Sequence, residues 1–309
     1  MKVLGLVGSR RKLGNTEILV KEALKGAREE GADIAIMRVS DCYLQECNGC
    51  MACMIRKERC RLKDDMDFLG SELESADGLV MGAPSYHYRP PGIVLVADDR
   101  VPGLVRQEKP GKMAITIGTA AKYERAGWVI PLLNKFVRSV GFELVGSFLA
   151  ISPGPGEVLL PDRQAIPQEV NRMGRDLVFS LRGEKDRLSD GVNRLRVFNP
   201  HSEGERLFTP DNCCPFCFST AFHLIGPDEV QCAFCFDSTG RVVWENDRVK
   251  IQFRTLTEEE SKGSLERHRA SWIAPTGGWF QQHRAEIDAL RAPYSNIGIP
   301  WLQPPRAES

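Results

Sequence analysis

Lys2-Val3-Leu4-Gly5-Leu6-Val7-Gly8-Ser9-Arg10-Arg11-Lys12-Leu13-Gly14-Asn15-Thr16 runs from an apolar segment straight into a polar turn punctuated by glycine. A short apolar run bounded in this way reads as a β-strand buried on both faces. Beyond Thr16, residues Ile18, Leu19, Ala23, Leu24 and Ala27 fall on one stripe of a helix. The turn is therefore a strand-to-helix loop. The helix start offers backbone N–H groups and a positive dipole end, which suits a phosphate. Ser9, Asn15 and Thr16 add side-chain donors, Arg10 adds charge, and Gly14 lets a ligand come close to the backbone.

The loop matches neither the GxGxxG fingerprint nor a Walker A loop. A monophosphate ligand such as FMN fits it better, and a basic turn with a good helix cap is the plainer alternative. Working outward, further strands are expected at 33–39, 78–82, 113–117 and 143–151, with amphipathic helices between them. Pro131 lies in the helical run 128–140, so that helix starts near it or kinks there. A last helix over 164–181 closes a unit of about 182 residues. Alternating strands and helices imply an α/β doubly wound parallel sheet covered on both faces.

Ligands of such sheets bind at the carboxyl ends of the strands. The third strand leads there into Ala83-Pro84-Ser85-Tyr86-His87-Tyr88, where an aromatic can stack on a flat ring and Pro84 stiffens the turn. The fourth leads into Gly118-Thr119-Ala120-Ala121-Lys122-Tyr123-Glu124, whose small residues let backbone groups approach a ring edge. Three loops at one end of one sheet point to a flavin. His87 lies among them, but neither it nor any other residue is marked out as a catalytic acid or base. His201, His223, His268 and His283 lack ligand spacing.

Nine of the ten cysteines fall in two groups. The first, Cys47-Asn-Gly-Cys50-Met-Ala-Cys53 followed by Cys60, places two C-x2-C steps in series, so that three thiolates from one loop can face a single cluster. Cys60 can close the site. A mononuclear zinc is less natural on so crowded a run, and reducible thiols without a cluster are the alternative. Asp64-Asp65 most simply cap the following helix, and Cys42 reads as a small, partly buried side chain.

With GSxRxxGNT after the first strand and PSY after the third, the chain resembles the flavodoxin-like NADPH-dependent FMN reductase family. The cysteine run makes it similar to the iron–sulfur flavoprotein branch of that family. The resemblance covers residues 1–182. It implies a five-stranded parallel sheet in the order 2-1-3-4-5 and FMN phosphate held by Ser9, Arg10, Gly14, Asn15 and Thr16. It also implies that Pro84, Ser85, Tyr86 and the loop holding Gly118, Thr119 and Ala120 contact the ring, with His87 beside them. A [4Fe–4S] cluster on Cys47, Cys50, Cys53 and Cys60 follows, as does a homodimer or homotetramer with clusters near flavins across subunit contacts. Thr119-Ala120-Ala121 stands where a glycine-rich turn is common, and Tyr88-Arg89-Pro90-Pro91 is also a departure.

The second group consists of two knuckles, Cys214-Pro-Phe-Cys217 and Cys232-Ala-Phe-Cys235, with Cys213 adjoining the first. This resembles a zinc ribbon or a rubredoxin site with four thiolates. Zinc and a single iron accept the same ligands. Zinc leads because Phe218 and Phe236 follow the knuckles where a rubredoxin usually has Gly. Cys214, Cys217, Cys232 and Cys235 are the expected ligands, with Cys213 a possible substitute.

The expected organisation is a flavin and iron–sulfur domain over 1–182, a charged linker over 183–210, the metal ribbon over 211–255 and a helical, then extended tail over 256–309. Within the ribbon, strands are expected at 241–244 and 249–253 with an Asn246–Asp247 turn. In the tail, Thr257 and Glu260 form a capping-box pattern, and a helix is expected over 278–290. Basic and acidic residues number 41 each, which gives no field that would attract nucleic acid or an anionic membrane. No apolar run approaches the ~20 residues of a membrane span. The opening lacks an apolar signal segment, so a cytoplasmic protein is expected.

Flavin takes electrons in pairs and releases them singly, whereas a [4Fe–4S] centre handles one at a time. The expected function is electron transfer between FMN and the cluster, to or from a carrier such as a ferredoxin, with NAD(P)H a possible donor. The alternatives are an NAD(P)H-dependent FMN or quinone reductase without a cluster, and a redox-sensing zinc-ribbon interaction protein.

Overall fold

The computed structural model describes residues 1–56, 58–104, 110–190, 192, 194–199, 206–208, 212–254, 270 and 274–291. Five strands, β1 (Lys2–Val7), β2 (Asp33–Arg38), β3 (Gly78–Pro84), β4 (Met113–Ala120) and β5 (Glu143–Ile151), lie parallel in the order β2-β1-β3-β4-β5. This is the flavodoxin-like arrangement.

Central strands are apolar along their length because both faces are covered. Helices α1 (Asn15–Glu29) and α6 (Ala165–Arg182) pack on one face with Leu19, Val20, Ala23, Val170 and Leu177. Helices α3 (Met66–Ser75), α4 (Gly92–Asp99) and α5 (Val129–Ser139) pack on the other with Leu69, Val94, Leu133 and Phe136. A one-turn helix, α2 (Ala52–Ile55), lies within the cysteine loop. Pro131 is the third residue of α5, where it removes no intrahelical hydrogen bond.

The sheet does not stop at five strands. The stretch 183–210, expected as a linker, carries β6 (Leu195–Phe198), parallel to β5, and β7 (Arg206–Phe208), antiparallel to β6. Its signal is faint because β6 is only four residues long and buries alternate residues, Leu195 and Val197. Four further strands, β8 (Phe222–Leu224), β9 (Glu229–Cys232), β10 (Thr239–Glu245) and β11 (Arg248–Phe253), form an antiparallel sheet in the order β11-β10-β9-β8. Asn246 and Asp247 both take positive φ, 50° and 57°, the turn that suits a two-residue hairpin. The tail helix is α7 (Ala274–Arg291); the Thr257–Glu260 capping box and the extended end lie outside the described residues. Among the described residues no helix is long and apolar enough to cross a membrane.

Candidate functional site

The β1–α1 loop is held by a buried anion. Glu17, 6% exposed, accepts from the Leu13 N–H (2.8 Å), Lys21 Nζ (2.6 Å) and Arg38 Nη2 (2.8 Å). Burial alone would raise the Glu17 carboxyl, but the hydrogen bonds from Arg38, Lys21 and Leu13 outweigh it and hold the group at about 2. Arg38 also donates through Nη1 to the Ser9 carbonyl oxygen at 2.6 Å. The loop is thus held in shape by the protein's own groups, with Leu13 in a positive-φ conformation.

At the start of α1, Gly14 supplies no side-chain cap, which leaves the helix N-terminus open to an anion. Ser9, Asn15 and Thr16 are buried here and Arg10 is exposed. Asn15 Nδ2 donates to the carbonyl oxygens of Ser152 (3.0 Å) and Gly154 (2.8 Å) in the loop after β5. Asn15 Oδ1 and Ser152 Oγ are then buried polar atoms without a partner. A phosphate-bearing ligand with hydroxyl groups fits such a set.

The three loops at the carboxyl ends of β1, β3 and β4 form one hydrogen-bonded unit. Thr16 Oγ1 and Thr119 Oγ1 lie 2.8 Å apart, the Ser85 N–H donates to the Thr119 carbonyl at 2.7 Å, and Ser85 Oγ donates to the Arg125 carbonyl at 2.6 Å. Tyr86 and Arg89 bridge back to back around His87 and Tyr88, which take φ of 50° and 69°. Tyr86, His87 and Tyr88 are exposed, Pro84 and Ser85 half-buried. Gly118, Thr119 and Ala120, expected in a loop, are instead the last three residues of β4 and are buried. Small side chains are needed there because Gly118 packs against Ile130, Leu149 and Val129.

The first cysteine group occupies the connection between β2 and α3. Cys47, Cys50, Cys53 and Cys60 line one pocket together with Met51 and Arg100. The Cys53 thiol is pushed up by burial and by the thiols of Cys60, Cys47 and Cys50, a repulsion between would-be thiolates that a cationic cluster relieves. Gly103 backs the site, since a β-carbon there would lie 3.0 Å from the Cys60 nitrogen. Asp64 accepts from the Met66 N–H at 3.2 Å, as a cap would, but it is also ion-paired with the buried Arg100 and accepts from the Gln45 N–H. Cys42 is half-buried.

In the second group, the sulfurs of Cys214, Cys217, Cys232 and Cys235 all lie within 4.8 Å of one another. The N–H groups of Phe216, Phe234 and Asp237 point at Cys214, Cys232 and Cys235 Sγ over 3.4, 3.5 and 3.4 Å, which favours thiolates. This donor set fits one tetrahedral zinc or iron. Cys213 packs in the main apolar core instead. Phe218 and Phe236 take φ of 57° and 58°, so the turn that usually uses Gly is made here by phenylalanine.

The ribbon is seated on α5 and the residue before it. Asn134 Nδ2 donates to the Cys217 carbonyl (3.0 Å), Trp128 stacks on Phe234 (5.5 Å between centroids), and the Arg138 guanidinium lies 4.6 Å from the Phe216 ring centre. Sequence reasoning missed Glu17 and three residues distant from the loops, Arg38, Ser152 and Asn134. The acidic Glu17 close behind the loop was the one local signal.

A family model described as NADPH-dependent FMN reductase matches residues 1–153. An iron-sulfur flavoprotein of Methanocaldococcus jannaschii is 40% identical over 86 residues, 28% of this chain and 44% of that protein. The chain thus spans less than half of that relative's length. A flavone synthase of Aspergillus candidus is 25% identical over 297 residues, 86% of this chain and 85% of that one. A solved flavone reductase superposes with a TM-score of 0.67 at 17% identity, covering 98% of this chain and all of its own, a likeness of fold.

Proposed function

Residues 1–153 belong to the NADPH-dependent FMN reductase family, an FMN-dependent oxidoreductase unit, and from that premise we propose that the chain transfers electrons between FMN and a [4Fe–4S] cluster. Ser9, Arg10, Gly14, Asn15 and Thr16 would hold the phosphate, while Pro84, Ser85, Tyr86, His87 and the β4 end, Gly118 to Ala120, would border the ring. Cys47, Cys50, Cys53 and Cys60 would hold the cluster, and zinc or a single iron would sit on the second group. Bound together, flavin and cluster connect two-electron with one-electron chemistry.

The observation that carries this reading is the uncapped start of α1 framed by the unpartnered, buried Asn15 Oδ1 and Ser152 Oγ. The four thiols around one pocket extend it to the cluster. Around these groups the chain does the positioning. Glu17 and Arg38 fix the phosphate loop, and the Thr16–Thr119–Ser85–Arg125 chain keeps the ring loops in register with it. The partner would be a ferredoxin-like carrier or NAD(P)H, and the assembly a homodimer or homotetramer.

A second reading is favoured by the match to the flavone synthase, which extends over most of this chain. In it a small molecule is the electron donor or acceptor. Anaerobic purification with an absorption spectrum and metal and sulfide analysis tests the main proposal. One FMN with about four irons and matching sulfide per chain supports it. A yellow protein containing zinc alone sinks it.

A further inference from the structure

A cavity of about 350 Å³ lies between the ribbon and the parallel sheet. Its floor is Leu149 of β5 with Leu195 and Val197 of β6, all buried. One wall is the segment between β4 and α5, including Tyr123 and Trp128. The facing wall is Phe218 to Ala221, which begins at the residue after Cys217. That wall is hydrogen-bonded into both knuckles: the Cys214 N–H donates to the Ser219 carbonyl (2.8 Å), and the Ala233 N–H to the Ala221 carbonyl (3.0 Å). The metal site therefore shapes one side of the cavity.

The other wall has two sides. Its inner side lines the cavity, and its outer side grips the loop assigned to the flavin ring. The Trp128 N–H donates to the Tyr88 carbonyl at 2.7 Å, and Gly127 lies so close that a β-carbon would meet that oxygen at 2.4 Å. We infer that this cavity binds an uncharged, planar aromatic molecule carrying a carbonyl or hydroxyl group, beside the flavin and against the metal ribbon. The volume suits roughly two or three rings, within the usual range of ligand pockets. Aromatic and aliphatic walls suit a flat apolar body, and Tyr123, Ser219 and Thr220 offer hydroxyls to orient a polar substituent. Among the described residues that line the cavity none carries a formal charge. A nicotinamide dinucleotide, with its phosphates, therefore does not belong in it.

The inference rests on the flavin reading for what adjoins the cavity, and its test separates the two. Flavone is titrated calorimetrically into the purified full-length protein and into the variants Thr220→Trp and Ala221→Phe, with FMN and metal content assayed on each preparation. Saturable binding to the parent, weakened roughly tenfold or more in both variants and not displaced by NADPH, is the expected result. Thr220 is exposed, so its replacement decides the matter if Ala221→Phe loses metal. Unchanged affinity in Thr220→Trp, displacement by NADPH, or no binding to the parent overturns the inference. An absence of FMN in the parent would instead count against the flavin reading, whatever flavone does.

Discussion

Asn134, fully buried in the middle of α5, donates its Nδ2 to the Cys217 carbonyl oxygen at 3.0 Å and so joins the parallel sheet to the metal knuckle. Its Oδ1 serves the sheet side, accepting from Thr116 Oγ1 (2.5 Å) and Ser147 Oγ (3.0 Å). Replacing Asn134 by Leu leaves the Cys217 carbonyl and one of the two hydroxyl hydrogens without a partner, since Thr116 Oγ1 and Ser147 Oγ still bond each other at 2.7 Å. The cost is expected to be about 2–3 kcal/mol or more, seen as a lower denaturation midpoint. Because the lost bond ends on a knuckle, the variant should also surrender the ribbon metal faster to a chelator. An unchanged release rate would mean that the knuckle is held without α5.

Phe218 and Phe236 occupy equivalent positions after the two knuckles, and both adopt the left-handed backbone, which costs a side-chain-bearing residue about 1–2 kcal/mol. Their surroundings differ. Phe236 is exposed and stacks on His223, whereas Phe218 is 3% exposed in the main core. Phe236→Gly is expected to leave stability unchanged or raise it by up to about 1 kcal/mol. Phe218→Gly should lower it by about 3–5 kcal/mol, because a buried ring is lost. Paired denaturant titrations of the metal-loaded protein check both signs.

The first five strands, the loop at Gly8–Thr16 and the two cysteine groups were legible because each announces itself locally, by an apolar run, a glycine-bounded turn or a repeated spacing. β6 and β7 were not, since Leu195 and Val197 are two buried residues among charged neighbours. The choice between Cys213 and Cys214 turned on direction alone: adjacent side chains diverge, and only Cys214 faces the other three thiols. Glu17 and Asn15 were visible as residues but not as a scaffold, because their partners Arg38, Ser152 and Gly154 come from other loops.

Glu17 supplies a pH signature. Its carboxyl is held at about 2 in the fold, below an ordinary 4.5, so the group stabilises the fold above pH 4.5 and loses that contribution as pH falls toward 2. The difference corresponds to about 3 kcal/mol. Glu17→Gln should therefore be less stable than the parent at pH 7 by an amount of this order, and the two should converge on acidification. Thermal unfolding between pH 7 and pH 3 reads this directly. If the β1–α1 loop holds the phosphate as proposed, FMN affinity should fall in the same variant, since Arg38 and Leu13 lose the group that aligns the loop.

Arg100 and Asp64 form an ion pair that is 1% and 0% exposed, beside the first cysteine pocket. Arg100 also donates to the Gln45 carbonyl at 2.9 Å, so one guanidinium ties helix α4's end to both sides of the cysteine loop. Removing only one partner strands a buried charge at a cost of about 3–5 kcal/mol, whereas replacing both by apolar groups can be nearly neutral. Arg100→Met alone is thus expected to destabilise strongly, and Arg100→Met with Asp64→Leu to recover most of the loss. Iron content should behave differently. Both variants lose the guanidinium that hydrogen-bonds the Cys60 side chain and the Gln45 carbonyl, so both should retain less iron after anaerobic purification. If the double variant regained iron along with stability, Arg100 would matter to the cysteine loop only through folding, and not by bracing the ligands.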